Sequence, residues 1–455
     1  MQRDITTGVE WKQVFLFSLP IMLASFLQTL YNTVDGIVVG RFVSETALAA
    51  VGSSSELALV FISFAIGMST GGGVLISQLY GARQLDKLHS TVSTVITLVG
   101  SIGLVLAILC EVFSGWLLGT LFKIEDPEVL ALALTYFRIY AIGILLRFMY
   151  NCVSAILRAI GDSRASLYFL CITVVANLFL DLLFVIVFKW GVAGAAAATV
   201  LTELVCVSAS IIYMQKKYEV LRITKDNFRF DKDICRTCLK LGIPSTLQQC
   251  VLSFGHVFSQ RLVNSFGASV MSGNYIAGRI MSYMWLPCSS FNAGMATFTA
   301  QNIGAGKLDR VRRGLRGTVI LSVSISIGIS ILCYTFAPQF ARLFGAETEA
   351  FTVSVDYIRC IALFCFIMAA YMPATGVLQG SGDVMWSMLC TFSSFFARIA
   401  SAYLLAYAFD YGVPSIYVCM PISWFVAIFV GYGRYFTGKW KTKAVVKARA
   451  PEAEA

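Results

Sequence analysis

Apolar residues run in twelve long stretches along this chain, separated by short polar segments. The stretches lie near 14–39, 47–79, 91–117, 129–157, 165–188, 191–214, 238–264, 271–302, 317–338, 352–379, 384–408 and 413–434. Each can supply the roughly 20 helical residues that cross a bilayer core. A helix satisfies its backbone hydrogen bonds internally, so it is the natural element for such stretches in lipid. The pattern predicts an all-α polytopic membrane protein with twelve transmembrane helices. Several stretches exceed the minimum, so tilting, kinking or projection past the lipid is expected. Pro20, Pro244, Pro287, Pro373 and Pro421 fall inside them and point to kinks. Gly71-Gly72-Gly73 would let a neighbour approach the second stretch closely.

Composition narrows the class further. Of the 455 residues, 58% are hydrophobic and only 13% are charged. A soluble fold of this size would lack the polar surface to cover itself. A soluble enzyme, a disordered chain and a secreted disulfide scaffold are thereby excluded. The net charge of +10 does not call for nucleic acid, because basic residues gather in cytoplasmic loops of membrane proteins. Here they concentrate in the 80–90 loop, the 215–240 linker, the 303–316 loop and the C-terminal segment. The other side holds only Arg41, Lys123, Lys189 and Arg342. Both termini are therefore expected in the cytoplasm, with an even number of spans. The 13 cysteines lie mostly in apolar runs and read as small buried hydrophobes. Cys235 and Cys238 have the spacing of half a zinc site, without a second pair nearby. The polar N-terminus leads into an apolar run too long for the core of a cleavable signal peptide.

The chain repeats itself. Gln78-Leu79-Tyr80-Gly81-Ala82 matches Gln301-Asn302-Ile303-Gly304-Ala305 at an offset of 223. Leu157, Gly161 and Asp162 match Leu378, Gly382 and Asp383 at 221, as Gly191-Val192 matches Gly412-Val413. Pro20 matches Pro244 at 224. Two halves of six spans each, beginning and ending on one side, are parallel repeats about an axis along the membrane normal. The expected division is an N-terminal lobe over 1–214, a basic linker over 215–237, a C-terminal lobe over 238–436 and a basic tail over 437–455. Two such lobes suit alternating access around a central site.

Polar groups inside spans are costly and therefore informative. The first half holds Asp35, Glu56, Asp181 and Glu203. Asn177 and Asp181 share a helix face at i, i+4, as do Thr199 and Glu203, and Arg147 and Asn151. Asp35, Asn177, Asp181 and Thr199 offer oxygen ligands to a proton or to a hard cation such as Na+. The alternative is that these groups pair with each other or with arginines as structural glue. The second half differs. Asp35 aligns near Ser259 and Asp181 near Ala402, so the acids are lost. His256 can titrate near neutral pH, though a lone histidine in a span is more often a hydrogen-bonded structural group. Asp356 and Arg359, at i, i+3 near a span end, predict a local ion pair. This asymmetry places cation coupling in the first lobe.

These residues resemble a known family. The two sets of six spans, Gln-x-x-Gly-Ala after spans 2 and 8, Leu-x-x-x-Gly-Asp after spans 4 and 10, and Gly-Val-Ala-Gly-Ala-Ala-Ala-Ala-Thr at 191–199 are similar to the multidrug and toxic compound extrusion (MATE) transporters. The likeness runs from about residue 11 to 436. Pro20 and Asp35, fifteen residues apart, and Asn177-x-x-x-Asp181 resemble the DinF-like branch. The branch with acids on spans 7 and 10 fits less well, because its span 7 acid is missing.

The resemblance implies a V-shaped pair of lobes around a central cleft. It implies a secondary transporter in the cell's inner (plasma) membrane that exports small amphipathic, often cationic, organic compounds in antiport with H+ or Na+. By the same resemblance Asp35 and Asp181 carry the coupling ion, with Asn177 and Thr199 as supporting ligands. Asn151 lines the lobe and Pro20 is the bend point of span 1; Glu203 and His256 are further cavity candidates among the polar groups of the spans. No cofactor, resident metal or nucleic-acid partner is implied, only the coupling ion, the substrate and membrane lipid, for a monomer. Arg138, Arg147, Arg261, Arg279 and Arg398 keep a lipid or lipid-linked oligosaccharide flippase open as an alternative. A membrane-embedded enzyme is remote, since His89 and His256 are the only histidines and neither has a clear acid partner.

Overall fold

The computed structural model describes residues 4–42, 45–121, 126–224 and 228–446. The side chains of 31–42, 45–50, 53, 55, 56, 121 and 254–258 lie outside the described residues. Long helices follow one another: α1 (Glu10–Phe42), α2 (Glu45–Gly81), α3 (Leu85–Trp116), α4 (Pro127–Ala159), α5 (Ser163–Asp181) and α6 (Gly191–Lys217). After the linker come α7 (Lys232–Asn264), α8 (Ala268–Gly304), α9 (Leu308–Leu343), α10 (Thr348–Gly380), α11 (Val384–Tyr403) and α12 (Ser415–Phe436). Each sits on one of the apolar stretches, and no strand occurs among the described residues. Among those residues ten helices are long and apolar enough to cross a membrane. The more polar α7 and α8 are not among the ten. Helix α9 starts well before its apolar stretch because its first turns are a solvated basic segment, Arg310 to Arg316. The helices run on through Pro20, Pro244, Pro287, Pro373 and Pro421.

The backbone reproduces the repeat. Helices α5 and α11 each pass into a single π turn, Leu182–Val187 and Leu404–Ala408. The left-handed residues recur in the same register. Gly161 and Gly382 have φ of 96° and 89°, and Lys189 and Asp410 have 57° and 49°. This left-handed conformation is costly for Lys189, and aspartate adopts it more readily at the same place in the second half.

The chain packs as two compact units. One is built on Leu23–Tyr80 and Gln84–Thr246, the other on Asp4–Met22, Gly81–Arg83 and the chain from Leu247 onward. Helix α1 is thus divided two residues beyond Pro20, and α7 two residues beyond Pro244. In the first unit α4 packs against α3 and α6. In the second, α10 packs against α8, α9 and α12. A Cβ on Gly380 would stand 2.1 Å from the Ala296 carbonyl oxygen, so α10 and α8 touch backbone to backbone. Small residues permit that approach, which is how helices gain packing energy in lipid.

Each repeat closes its start of helix 5 onto its end of helix 6 with an aspartate. Asp162 caps α5, accepting the Ala165 N–H at 3.2 Å. It also accepts the Tyr213 hydroxyl at 2.9 Å, the Tyr218 hydroxyl, and the Lys217 ammonium at 3.3 Å. Burial pushes its carboxyl up, but the hydrogen bonds from Tyr218 and Tyr213, the Lys217 charge and the Ala165 N–H outweigh it, and the carboxyl ends below its ordinary value. A depressed carboxyl contributes stability at neutral pH that is lost only as pH falls through the folded-state value. In the second repeat Asp383 takes one partner instead, the Arg434 Nε at 2.7 Å. Arg434 stands at the place of Tyr213, 221 residues on. Its guanidinium also lies 4.8 Å from the centre of the Trp386 ring.

One local expectation changes. Asp356 and Arg359 form no ion pair; the Arg359 guanidinium lies 5.3 Å from the Tyr334 ring centre on α9. An aromatic face is a favourable seat for a cation in low-dielectric surroundings. The described residues flanking the spans pack into the second unit. Trp440 is buried in the same apolar cluster as Ile5 and Phe298 and stacks on Tyr435 at 5.6 Å. Glu10 meets Arg313 at 2.9 Å and Arg310 at 3.5 Å, holding the start of α1 to α9.

Candidate ion-coupling site of the first repeat

The site residues come from three helices of one unit. On α5, Asn177 is 1% and Asp181 is 2% exposed. Their i, i+4 spacing sets both on one buried face. Asp181 is the last residue before the π turn at Leu182–Val187. Such turns interrupt the regular hydrogen-bond ladder and are frequent at functional sites. Neither amide atom of Asn177 has a hydrogen-bond partner. A buried amide without partners is expensive, about 1–3 kcal/mol per group, and calls for an explanation.

On α6, the half-buried Thr199 donates its hydroxyl to the Ala195 carbonyl at 3.0 Å, which leaves the oxygen able to accept or coordinate. One turn on, Glu203 is buried and meets the Arg147 guanidinium of α4 at 3.3 Å. A Cβ on Gly143 would stand 3.4 Å from Glu203 Oε2, so this carboxylate lies against the α4 backbone. Asn151, a turn beyond Arg147, donates its amide N–H to the Arg147 carbonyl at 2.9 Å. Arg147 also borders an apolar recess between α2 and α4, with Phe61, Ile62 and Phe148.

The structure therefore joins Arg147 to both Glu203 and Asn151, and sets Asn177 and Asp181 together on α5. The side chains of Asp35, Glu56 and His256 lie outside the described residues. Pro20 falls just before the point where α1 passes from one unit to the other. Sequence reasoning found both helix-face pairs, Arg147 with Asn151 and Thr199 with Glu203. It missed that α4 and α6 bring the two pairs together, a fact of tertiary packing. Oxygen donors from a carboxylate, an amide and a hydroxyl suit a proton or a hard monovalent cation.

The Arg147–Glu203 pair has no counterpart in the second repeat, where Met368 and Trp424 fill the equivalent places in the apolar core. Removing one partner of a buried pair strands a charge, at a cost of about 3–5 kcal/mol, whereas replacing both by apolar groups is often neutral. Arg147→Met or Glu203→Leu alone should lower the melting temperature in detergent clearly, and the double variant should recover most of it. A double variant that melts no higher than the worse single would show that the pair is not coupled.

A model of the family described as MatE matches residues 20–183 and 244–404. The chain is similar to "Probable multidrug resistance protein YpnP" of Bacillus subtilis (strain 168), 30% identical, covering 96% of this chain and 97% of that protein. "Probable multidrug resistance protein YoeA" of the same organism is 28% identical, with 96% of each chain covered. Among solved structures, "Outward-facing conformation of a multidrug resistance MATE family transporter of the MOP superfamily" shares the fold with a TM-score of 0.90 at 23% identity, covering 96% of this chain and 98% of that one. "Crystal structure of MATE in the bent conformation" does so with a TM-score of 0.89 at 24% identity, over 96% and 98%.

Proposed function

From the premise that this chain belongs to the MATE family, and so is a multi-pass membrane transporter and not an enzyme, we propose that it exports amphipathic organic compounds in antiport with H+ or Na+. The names of its relatives support multidrug export. The observation that carries ion coupling is the buried Asn177–Asp181 face with its unpartnered amide. In this reading Asp35, Asn177, Asp181 and Thr199 take the incoming ion, in the pattern of the DinF-like branch. The second repeat supports the grouping. Arg398 and Met420, equivalent to Asn177 and Thr199, stand 3.9 Å apart across α11 and α12.

The ion enters from outside and substrate leaves. The two repeats alternate access between the sides of the plasma membrane, with both termini in the cytoplasm as the positive-inside pattern requires. Moving one charge inward at 100 mV yields about 2.3 kcal/mol, before any concentration gradient is added. Exporting a neutral solute against a tenfold gradient costs about 1.4 kcal/mol, so one ion suffices. The test is transport of a fluorescent organic cation by the purified protein in liposomes, with a sodium or a proton gradient imposed in turn. Movement that follows one gradient supports antiport and names the ion. Movement indifferent to both gradients overturns it.

A further inference from the structure

The second repeat holds a fixed cation where the first would hold a movable one. The register is secured by the backbone, since the π turns end at Val187 and Ala408 and the left-handed residues coincide at an offset of 221. In that register Asn177, Asp181 and Thr199 become Arg398, Ala402 and Met420, and Asp35 becomes Ser259 at 224. Every ligand with a negative charge is gone and a guanidinium has entered. Arg398 lies fourteen residues into α11, about 21 Å along the helix, and ten residues before the π turn ends at Ala408.

Its surroundings do not neutralise it. Among the described residues no carboxylate stands within 4.0 Å of Arg398. Its Nε is buried without a hydrogen-bond partner, and its Nη1 rests on the Met420 sulfur at 3.9 Å, a weak acceptor. The side chain is half-buried, so it is open to a ligand. An ionisable group kept in a span without a partner marks a functional site by default. An arginine presents a planar fork of donors matched to an oxyanion.

We propose that Arg398 receives an oxyanion, a carboxylate or phosphate carried by the transported molecule, so that the second repeat selects amphiphiles bearing an anionic group beside their apolar body. This rests on the export reading and names its substrate class. A charge-assisted contact of this kind is worth at least a tenfold preference.

The experiment uses a xanthene dye with a free carboxylate and its methyl ester, with binding to the full chain in detergent read by fluorescence polarisation. The native protein is expected to prefer the acid over the ester about tenfold or more. Arg398→Gln should bring that ratio close to one, and Arg398→Lys should restore part of it. A ratio unaltered by Arg398→Gln, a rise confined to ester binding, or no acid binding by the native protein overturns the proposal. Repeating the measurement with added anionic phospholipid separates the sources. Competition that Arg398→Gln abolishes identifies a lipid phosphate as an occupant, and its absence leaves the substrate carboxylate. Because binding needs no gradient, loss of ion-driven transport would count against antiport alone.

Discussion

Replacing Asp181 with asparagine is expected to abolish gradient-driven export while the protein stays folded. Asparagine keeps the size of the side chain and removes the one group on the α5 face that can bind a proton or balance a cation. At 2% exposure Asp181 has no bulk water to substitute for it. For a neutral substrate at 100 mV, one coupled charge supports about a fiftyfold concentration ratio, from about 2.3 kcal/mol. That ratio should fall to about one in Asp181→Asn. Asn177→Ala removes a neutral ligand only, so it should weaken the ion's apparent affinity about tenfold and spare the final ratio. Thermal stability should not drop in Asp181→Asn, because burying an amide costs less than burying a carboxylate. Accumulation measured in liposomes decides. A variant that still concentrates substrate fiftyfold removes Asp181 from coupling and shifts the search to the second repeat, with His256 first.

Much of this was legible in the chain, for definable reasons. Apolar stretches in lipid have one good backbone solution, so length and hydropathy located each of these helices, though α9 begins at Leu308 while its stretch begins near 317. The repeat was legible because Gly161, Gly382, Gly191 and Gly412 occupy left-handed positions where glycine is the least strained residue. Three features were not legible. The π turns after α5 and α11 have no sequence signature of their own. The Arg147–Glu203 pair links residues far apart in the chain, and helix-face periodicity says nothing about which faces meet. The division of α1 and α7 between units depends on where each helix packs, and Pro20 and Pro244 mark the place without stating its consequence. The predicted Asp356–Arg359 pair failed because spacing permits a contact without requiring it, and the Tyr334 ring offered Arg359 another seat.

The two aspartates that begin α5 and α11 allow a second large effect to be predicted. Asp162 spreads its charge over two phenols, an ammonium and a backbone N–H. Asp383 relies on Arg434, and the pair is 4% and 9% exposed at 2.7 Å. Asp383→Ala would leave the guanidinium buried with only the Trp386 face as company, at a cost of about 3–5 kcal/mol. Arg434→Ala strands the carboxylate at similar cost. The first repeat shows the milder solution, since Tyr213 at the equivalent place donates a hydroxyl to Asp162. Arg434→Tyr should therefore melt closer to the native protein than Arg434→Ala does. The double replacement by alanine should melt above Asp383→Ala, because no charge is stranded. Melting followed in detergent gives the order directly. If Asp383→Ala melts with the native protein, the pair contributes no stability, and the second repeat is held at this end by Trp440 and the apolar cluster around it instead.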